Sequence, residues 1–259
     1  MSLIIETIPA FHDNYLWLFF QQDDRKGWVV DPGDAAPVLE RLRKLDCDLA
    51  GILVTHQHPD HIGGIPQLLE HFPDIPVFGP ADIALVTQPV KEGDCVSAAA
   101  TEFEVLAVPG HTLNHLAYFA KTGSDNPLLF CGDTLFAGGC GRLFEGTPAQ
   151  MYASLNKLAA LPDNTQVYCA HEYTLANLAF AQAVEPENAA LKSRVETSEA
   201  LRNQQIPTVP STIGLEKQTN PFLRTASHEL HRNVSEHAGL KTADPVALFA
   251  ATRQWKDNF

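Results

Sequence analysis

Four times along this chain a short apolar run ends within a few residues of a side chain that can hold a metal ion. Ala50–Val54 leads into Thr55-His56-Gln57-His58-Pro59-Asp60-His61. Phe103–Val108 leads into Pro109-Gly110-His111, Leu128–Cys131 into Gly132-Asp133, and Val167–Cys169 into Ala170-His171. Short apolar runs bounded by turn formers read as buried strands. Loops at strand ends are where layered α/β folds gather their ligands. The repeated placement says more than any single residue. It points to a layered α/β fold with helices outside and the polar loops at one end of the strands.

The rest of the first two-thirds fits that frame. Leu3–Ile8, Tyr15–Phe20, Trp28–Val30, Val77-Phe78 and Leu116–Phe119 read as further strands. Asp34, after the Asp31-Pro32-Gly33 turn, is placed to cap a helix through about Leu45. Gly63-Gly64 opens a helix through about His71, and Thr147-Pro148 opens another over Ala149–Ala160. After about Tyr173 strand signals almost vanish. Leu175–Ala183, Asn188–Asn203, His228–His237 and Pro245–Trp255 read as helices, and Ile206–Pro221 as a loop rich in Pro, Thr and Ser. The predicted domains are therefore 1–173, carrying the ligand-type loops, and 174–259, helical.

Composition narrows the function. The 259 residues are 45% hydrophobic, enough for one large domain or one plus a smaller one. A net charge of −13 argues against nucleic-acid binding, which rests on phosphate neutralisation by Lys and Arg. No run approaches the ~20 apolar residues of a membrane span. The N-terminus reads as a strand and not as a signal peptide. The five cysteines have no framework spacing, so reduced thiols with a packing role, in the cytoplasm, are expected.

A lone His111 or His171 would read as a capping or core histidine, and a lone Asp133 as a turn former. His56, His58, Asp60 and His61 together do not, because packing rarely demands H-x-H-x-D-H. That loop can start two metal sites but not finish them, since a catalytic zinc usually takes three protein ligands plus water.

The sequence T-H-x-H-x-D-H, followed by a strand-end His, Asp and His, resembles the metallo-β-lactamase superfamily. Within it the chain is similar to the glyoxalase II, or hydroxyacylglutathione hydrolase, family. The likeness extends through CGDTLFAGGCGRLFEG (Cys131–Gly146), YCAHEYTLANLAFA (Tyr168–Ala181), VEPENAA, TVPST, NPFLR and RQWKDNF (Arg253–Phe259). It implies an αββα sandwich with a C-terminal helical domain. It also implies that His56, His58 and His111 hold one metal, that Asp60, His61 and His171 hold a second, and that Asp133 bridges them. All seven are N or O donors, which suit zinc, iron or manganese alike; zinc is the metal expected. Asp31 is a candidate to orient a ligand histidine, with a plain turn aspartate as the alternative; His115 is either a similar support or core. The departures are Gln57, Ile65, Asn114 and Phe144, none at a ligand position.

The implied activity is hydrolysis of S-D-lactoylglutathione to D-lactate and glutathione, the second step of methylglyoxal detoxification, by a monomer acting on a small molecule. Paired cations bring the pKa of a shared water to about neutrality, with Asp60 and Asp133 catalytic through the metals they hold. The resemblance places Arg253 and Lys256 on the glycine carboxylate of glutathione, with Arg142 and Tyr173 beside the peptide. Read alone, Arg253 and Lys256 are a basic last helical turn complementing the dipole. The competing readings are another superfamily enzyme, such as a persulfide dioxygenase, and a non-catalytic module that binds glutathione conjugates.

Overall fold

The computed structural model describes residues 3–122, 126–241 and 244–259. One unit comprises Met1–Ala107 with Asn114–Gly132, the other Val108–Leu113 with Asp133–Phe259.

The first unit is built on two sheets. In the first, β1 (Leu3–Ala10), β2 (Asn14–Gln21), β3 (Lys26–Val30), β4 (Asp48–Leu53), β5 (Val77–Gly79) and β6 (Gln88–Pro89) lie side by side in chain order. The first three are antiparallel, and pairing is parallel from β3 onward. Parallel neighbours need a crossover. α1 (Ala35–Leu45) supplies it between β3 and β4; α2 (Pro59–Ile62) and α3 (Ile65–His71) do so between β4 and β5. Asp34 caps α1 as its position predicts, accepting from the Ala36 N–H at 2.9 Å. The other strands of this unit, β7 (Cys95–Ala98), β8 (Thr101–Ala107), β9 (Leu116–Ala120) and β10 (Leu128–Gly132), form an antiparallel meander.

β2 (NYLWLFFQ) is buried along its whole length, as a strand covered on both faces must be. Its even-numbered residues Leu16, Leu18 and Phe20 join Val38 and Leu42 of α1 and Ile65 and Leu68 of α3 in one core. Phe19 points the other way. Its ring lies 5.4 Å from those of Phe103 on β8 and Phe130 on β10, so the two sheets pack face to face. All three rings are fully buried. Phe19→Ala is expected to destabilise the protein by about 3–5 kcal/mol, read from the shift in a urea unfolding midpoint at unchanged slope.

The second unit contains a small hairpin, β11 (Leu135–Phe136) and β12 (Gly139–Cys140), then α4 (Pro148–Ala159) and β13 (Gln166–Cys169). Helices α5 (Thr174–Val184) and α6 (Ala189–Asn203) follow. β14 (Ser211–Thr212) pairs with β13, and α7 (Ile213–Thr219), α8 (His228–Ala238) and α9 (Pro245–Asp257) complete the unit. α4 opens on a full capping box, Thr147 with Gln150, and has Pro148 in its first turn. No helix among the described residues is long and apolar enough to cross a membrane.

α7 falls inside the stretch expected to be loop. Its buried positions are Ile213, Glu216 and Thr219, so its inward face is mostly polar and leaves no apolar periodicity to read. Glu216 is fully buried and paired with Arg194 of α6. It also accepts from the Gly138 N–H at 2.8 Å and the Asn220 amide at 3.0 Å. Asn220 in turn donates to the carbonyls of Phe136 (3.2 Å) and Gly139 (2.9 Å). A polar cluster thus pins the hairpin that follows Asp133, and each of its buried groups has a partner.

Candidate metal centre

In the first unit the organising residue is Asp31, at the end of β3. Its backbone is left-handed (φ 49°), a region that aspartate tolerates better than most residues. The turn lies flat on the histidine loop: a Cβ on Gly33 would meet the Asp60 carbonyl oxygen at 1.8 Å. The buried Asp31 carboxylate accepts from the Thr55 N–H and the Thr55 hydroxyl, both at 2.7 Å, and lies 3.0 Å from His61 Nδ1. A carboxylate only accepts, so His61 Nδ1 carries the hydrogen and Nε2 keeps its lone pair. The Thr55 hydroxyl spends its hydrogen on Asp31 and therefore accepts from His56 Nδ1, 3.0 Å away. One aspartate sets both tautomers, and both Nε2 atoms are left as donors to a metal.

His56 Nε2 lies 3.0 Å from His58 Nδ1, and His61 Nε2 lies 3.4 Å from Asp60 Oδ2. Two ligand atoms each about 2.0–2.1 Å from a tetrahedral zinc stand about 3.4 Å apart. The ring of His115 stacks on that of His56 at 4.6 Å, so His115 supports a ligand-type ring.

In the second unit Asp133 follows β10, and its carboxylate has an imidazole at each oxygen. His111 Nε2 is 3.4 Å from Oδ2, and His171 Nε2 is 3.3 Å from Oδ1. Both separations exceed the usual 2.7–3.2 Å of an N–H···O bond and suit pairs of ligands to a common ion. The other nitrogen of His111 donates to the Arg142 carbonyl at 2.9 Å, which again leaves Nε2 as a donor. Tyr173 stacks on His171 with centroids 4.7 Å apart. Burial pushes the Cys140 thiol up to about 11 and the Cys169 thiol up to about 12.

Sequence reasoning passed over two contributors. Thr55 was visible in the motif but not as a relay from His56 to Asp31. Asn14, at the start of β2, donates to Asp60 Oδ2 at 2.9 Å, and a partner 46 residues away leaves no local signal.

The sequence model of the Metallo-beta-lactamase superfamily matches residues 15–171, and that of the Hydroxyacylglutathione hydrolase C-terminus matches residues 172–259. Over 259 residues the chain is 51% identical to a hydroxyacylglutathione hydrolase of Vibrio cholerae, covering 99% of this chain and 100% of the relative. It is 54% identical over 261 residues to that of Albidiferax ferrireducens, covering all of both. The chain belongs to the hydroxyacylglutathione hydrolase family. ETHE1 from Myxococcus xanthus shares its fold, with a TM-score of 0.65 at 25% identity over 98% of this chain and 99% of that one. The expected class, a metallo-β-lactamase fold with a C-terminal helical region, is thus the one observed, and α5–α9 fall in the family's own C-terminal segment. The His and Asp donors of this family member suit divalent ions.

The candidate substrate residues all lie in the second unit. Lys256 on α9 donates to the Ala176 carbonyl at 2.9 Å and sits over the ring of Phe180. Burial, then the charges of Arg253 and Arg142, push its ammonium below the usual lysine range. Arg142 is exposed, with Nε 3.9 Å from Asp257. Arg253 is buried; it donates to the Cys140 carbonyl at 2.9 Å, pairs with Asp257 at 2.9 Å and lies over Phe222. Its guanidinium therefore ties α9 to the hairpin as well as adding positive charge. Phe144 is exposed, its ring edge-on to His111 at 5.2 Å, and offers no hydroxyl.

Proposed function

We propose that this protein hydrolyses S-D-lactoylglutathione, and 2-hydroxyacylglutathione thioesters generally, to the 2-hydroxy acid and glutathione, the second step of methylglyoxal detoxification. The observation that carries the reading is the Asp133 carboxylate with an imidazole nitrogen at each oxygen, in a chain whose C-terminal region is that of hydroxyacylglutathione hydrolases. In this reading His56, His58 and His111 hold one ion, Asp60, His61 and His171 hold the other, and Asp133 bridges. Zinc is the metal proposed, with iron or manganese accepted by the same donors. Residues 1–173 act as the catalytic domain and 174–259 as the substrate-binding domain of a cytoplasmic monomer.

Bound divalent ions supply Lewis acidity for water and for the thioester carbonyl. The chain's own contribution is to hold the donors in one tautomer and direction. Asp31 does this for His61 directly and for His56 through Thr55; the Arg142 carbonyl does it for His111. The water oxygen joins the acyl carbon and the C–S bond breaks with its electron pair on sulfur, so thioester and water give the carboxylate, the thiol and one proton. The departing thiolate belongs to a thiol of pKa about 8.5, so it leaves without a strong acid beside it. The net −13 charge of the chain means that a carboxylate-bearing substrate needs a local positive site. Lys256, Arg142 and Arg253 are proposed to provide it for glutathione, with Tyr173 beside the peptide.

Lys256→Ala is expected to raise KM about tenfold with kcat little changed, the mark of an interaction common to bound substrate and transition state. Arg253→Ala should raise KM too, and in addition lower stability by about 1–3 kcal/mol because the Cys140 carbonyl loses its donor. Steady-state kinetics and urea unfolding on the two variants separate these effects. Thiol release from S-D-lactoylglutathione tests the activity itself. Oxygen uptake with glutathione persulfide, or tight binding of the thioester without thiol release, would favour the dioxygenase or the binding module instead.

A further inference from the structure

We infer that Asn14 is a positioning residue that selects the working conformation of Asp60, and so sets the affinity of one metal position and not of the other; the inference rests on the metal assignment proposed above. Among the metal-ligand candidates of the first unit, His56 and His61 are buried whereas His58 and Asp60 are partly exposed; the Asp60 side chain is 39% exposed, against 1% for His61 beside it. An exposed carboxylate on a short helical turn samples several rotamers. Asn14 is buried at 6%, on the strand end that closes the β1–β2 turn opposite Ala10. Its Nδ2 donates at 2.9 Å to Asp60 Oδ2, the oxygen that stands 3.4 Å from His61 Nε2. A buried amide therefore holds the partly exposed carboxylate by the oxygen nearest its neighbouring ligand. The turn that presents Asn14 is itself specified, with Phe11 held in the left-handed region at φ 51°. Asp31 orients His61 and, through Thr55, His56; Asn14 does the corresponding work for Asp60.

Removing a residue that orients a ligand typically costs 10- to 100-fold in metal affinity. Asn14→Leu keeps the volume and removes the donor; Asn14→Asp keeps the shape and puts an acceptor against an acceptor. Metal affinities of wild type and both variants are read by competition with a chromogenic chelator, and the cobalt-substituted forms by their visible spectra. The expected result is a 10- to 100-fold loss at one of two positions, with the other within about twofold and its cobalt bands unchanged. In an Asp60→Ala background, Asn14→Leu should change neither affinity further, whereas a merely structural role would still weaken binding there. Should Asn14→Leu fail to fold, Asn14→Asp carries the comparison. Equal weakening of both positions, or wild-type affinity at both, would overturn the inference. Wild-type protein that binds fewer than two ions would instead overturn the metal assignment beneath it.

Discussion

Asp133→Ala is expected to lose both ions together. The carboxylate offers one oxygen toward His111 and the other toward His171, so its removal takes a proposed ligand from each metal position at once. Substitution of a residue that only orients a ligand costs 10- to 100-fold. Loss of a shared ligand should exceed that, so hydrolysis is expected to fall by more than about a hundredfold. Metal analysis after gel filtration and thiol release on the same sample make the check. Two retained ions with full activity would remove Asp133 from the bridging role.

Asp31→Ala should produce the second large effect, and on the fold as much as on the chemistry. Three groups lose their acceptor: the Thr55 N–H, the Thr55 hydroxyl and His61 Nδ1. Each buried donor left unsatisfied costs about 1–3 kcal/mol, although water entering the space left by the side chain offsets part of it. A loss of about 2–5 kcal/mol is expected in urea unfolding of the metal-free protein. His56 and His61 also lose what sets their tautomers, so metal affinity should fall with stability. Asp31→Asn keeps the shape, a side-chain carbonyl to accept the Thr55 N–H, and tolerance for φ 49°. It should recover much of the stability and less of the metal affinity, because its amide nitrogen cannot accept from His61. Equal stability of Asp31→Ala and wild type would show that these bonds do not hold the loop.

How far the sequence reading reached follows from what kind of interaction made each element. Strands with large apolar residues, such as β2 and β10, and helices with a side-chain cap, such as α1 and α4, were legible because the signal is local. β7 was not: Cys95, Val96, Ser97 and Ala98 alternate exposed and buried as a strand should, but their side chains are small. α7 was hidden because its inward face is held by a charge, Glu216, whose partner Arg194 is 22 residues away. The site divides in the same way. His56, His58, Asp60, His61, His111, Asp133 and His171 stood out through their placement after strands. Of the groups that aim them, Asp31 was a candidate from its turn, but the Arg142 carbonyl and Asn14 were not, because one is a backbone group and the other a polar residue from a distant strand end. Arg253 reads from its spacing as part of a basic last helical turn; its burial against the Cys140 carbonyl comes from the fold.

Metal-dependent thioester hydrolysis by this chain is tested by free-thiol release from S-D-lactoylglutathione by the purified protein, before chelation, after it, and on stepwise return of zinc. Rapid release that vanishes with the metal and returns to a plateau at two ions per chain is expected. Hydrolysis that persists undiminished after the metal is removed, in protein that is still folded, would contradict it.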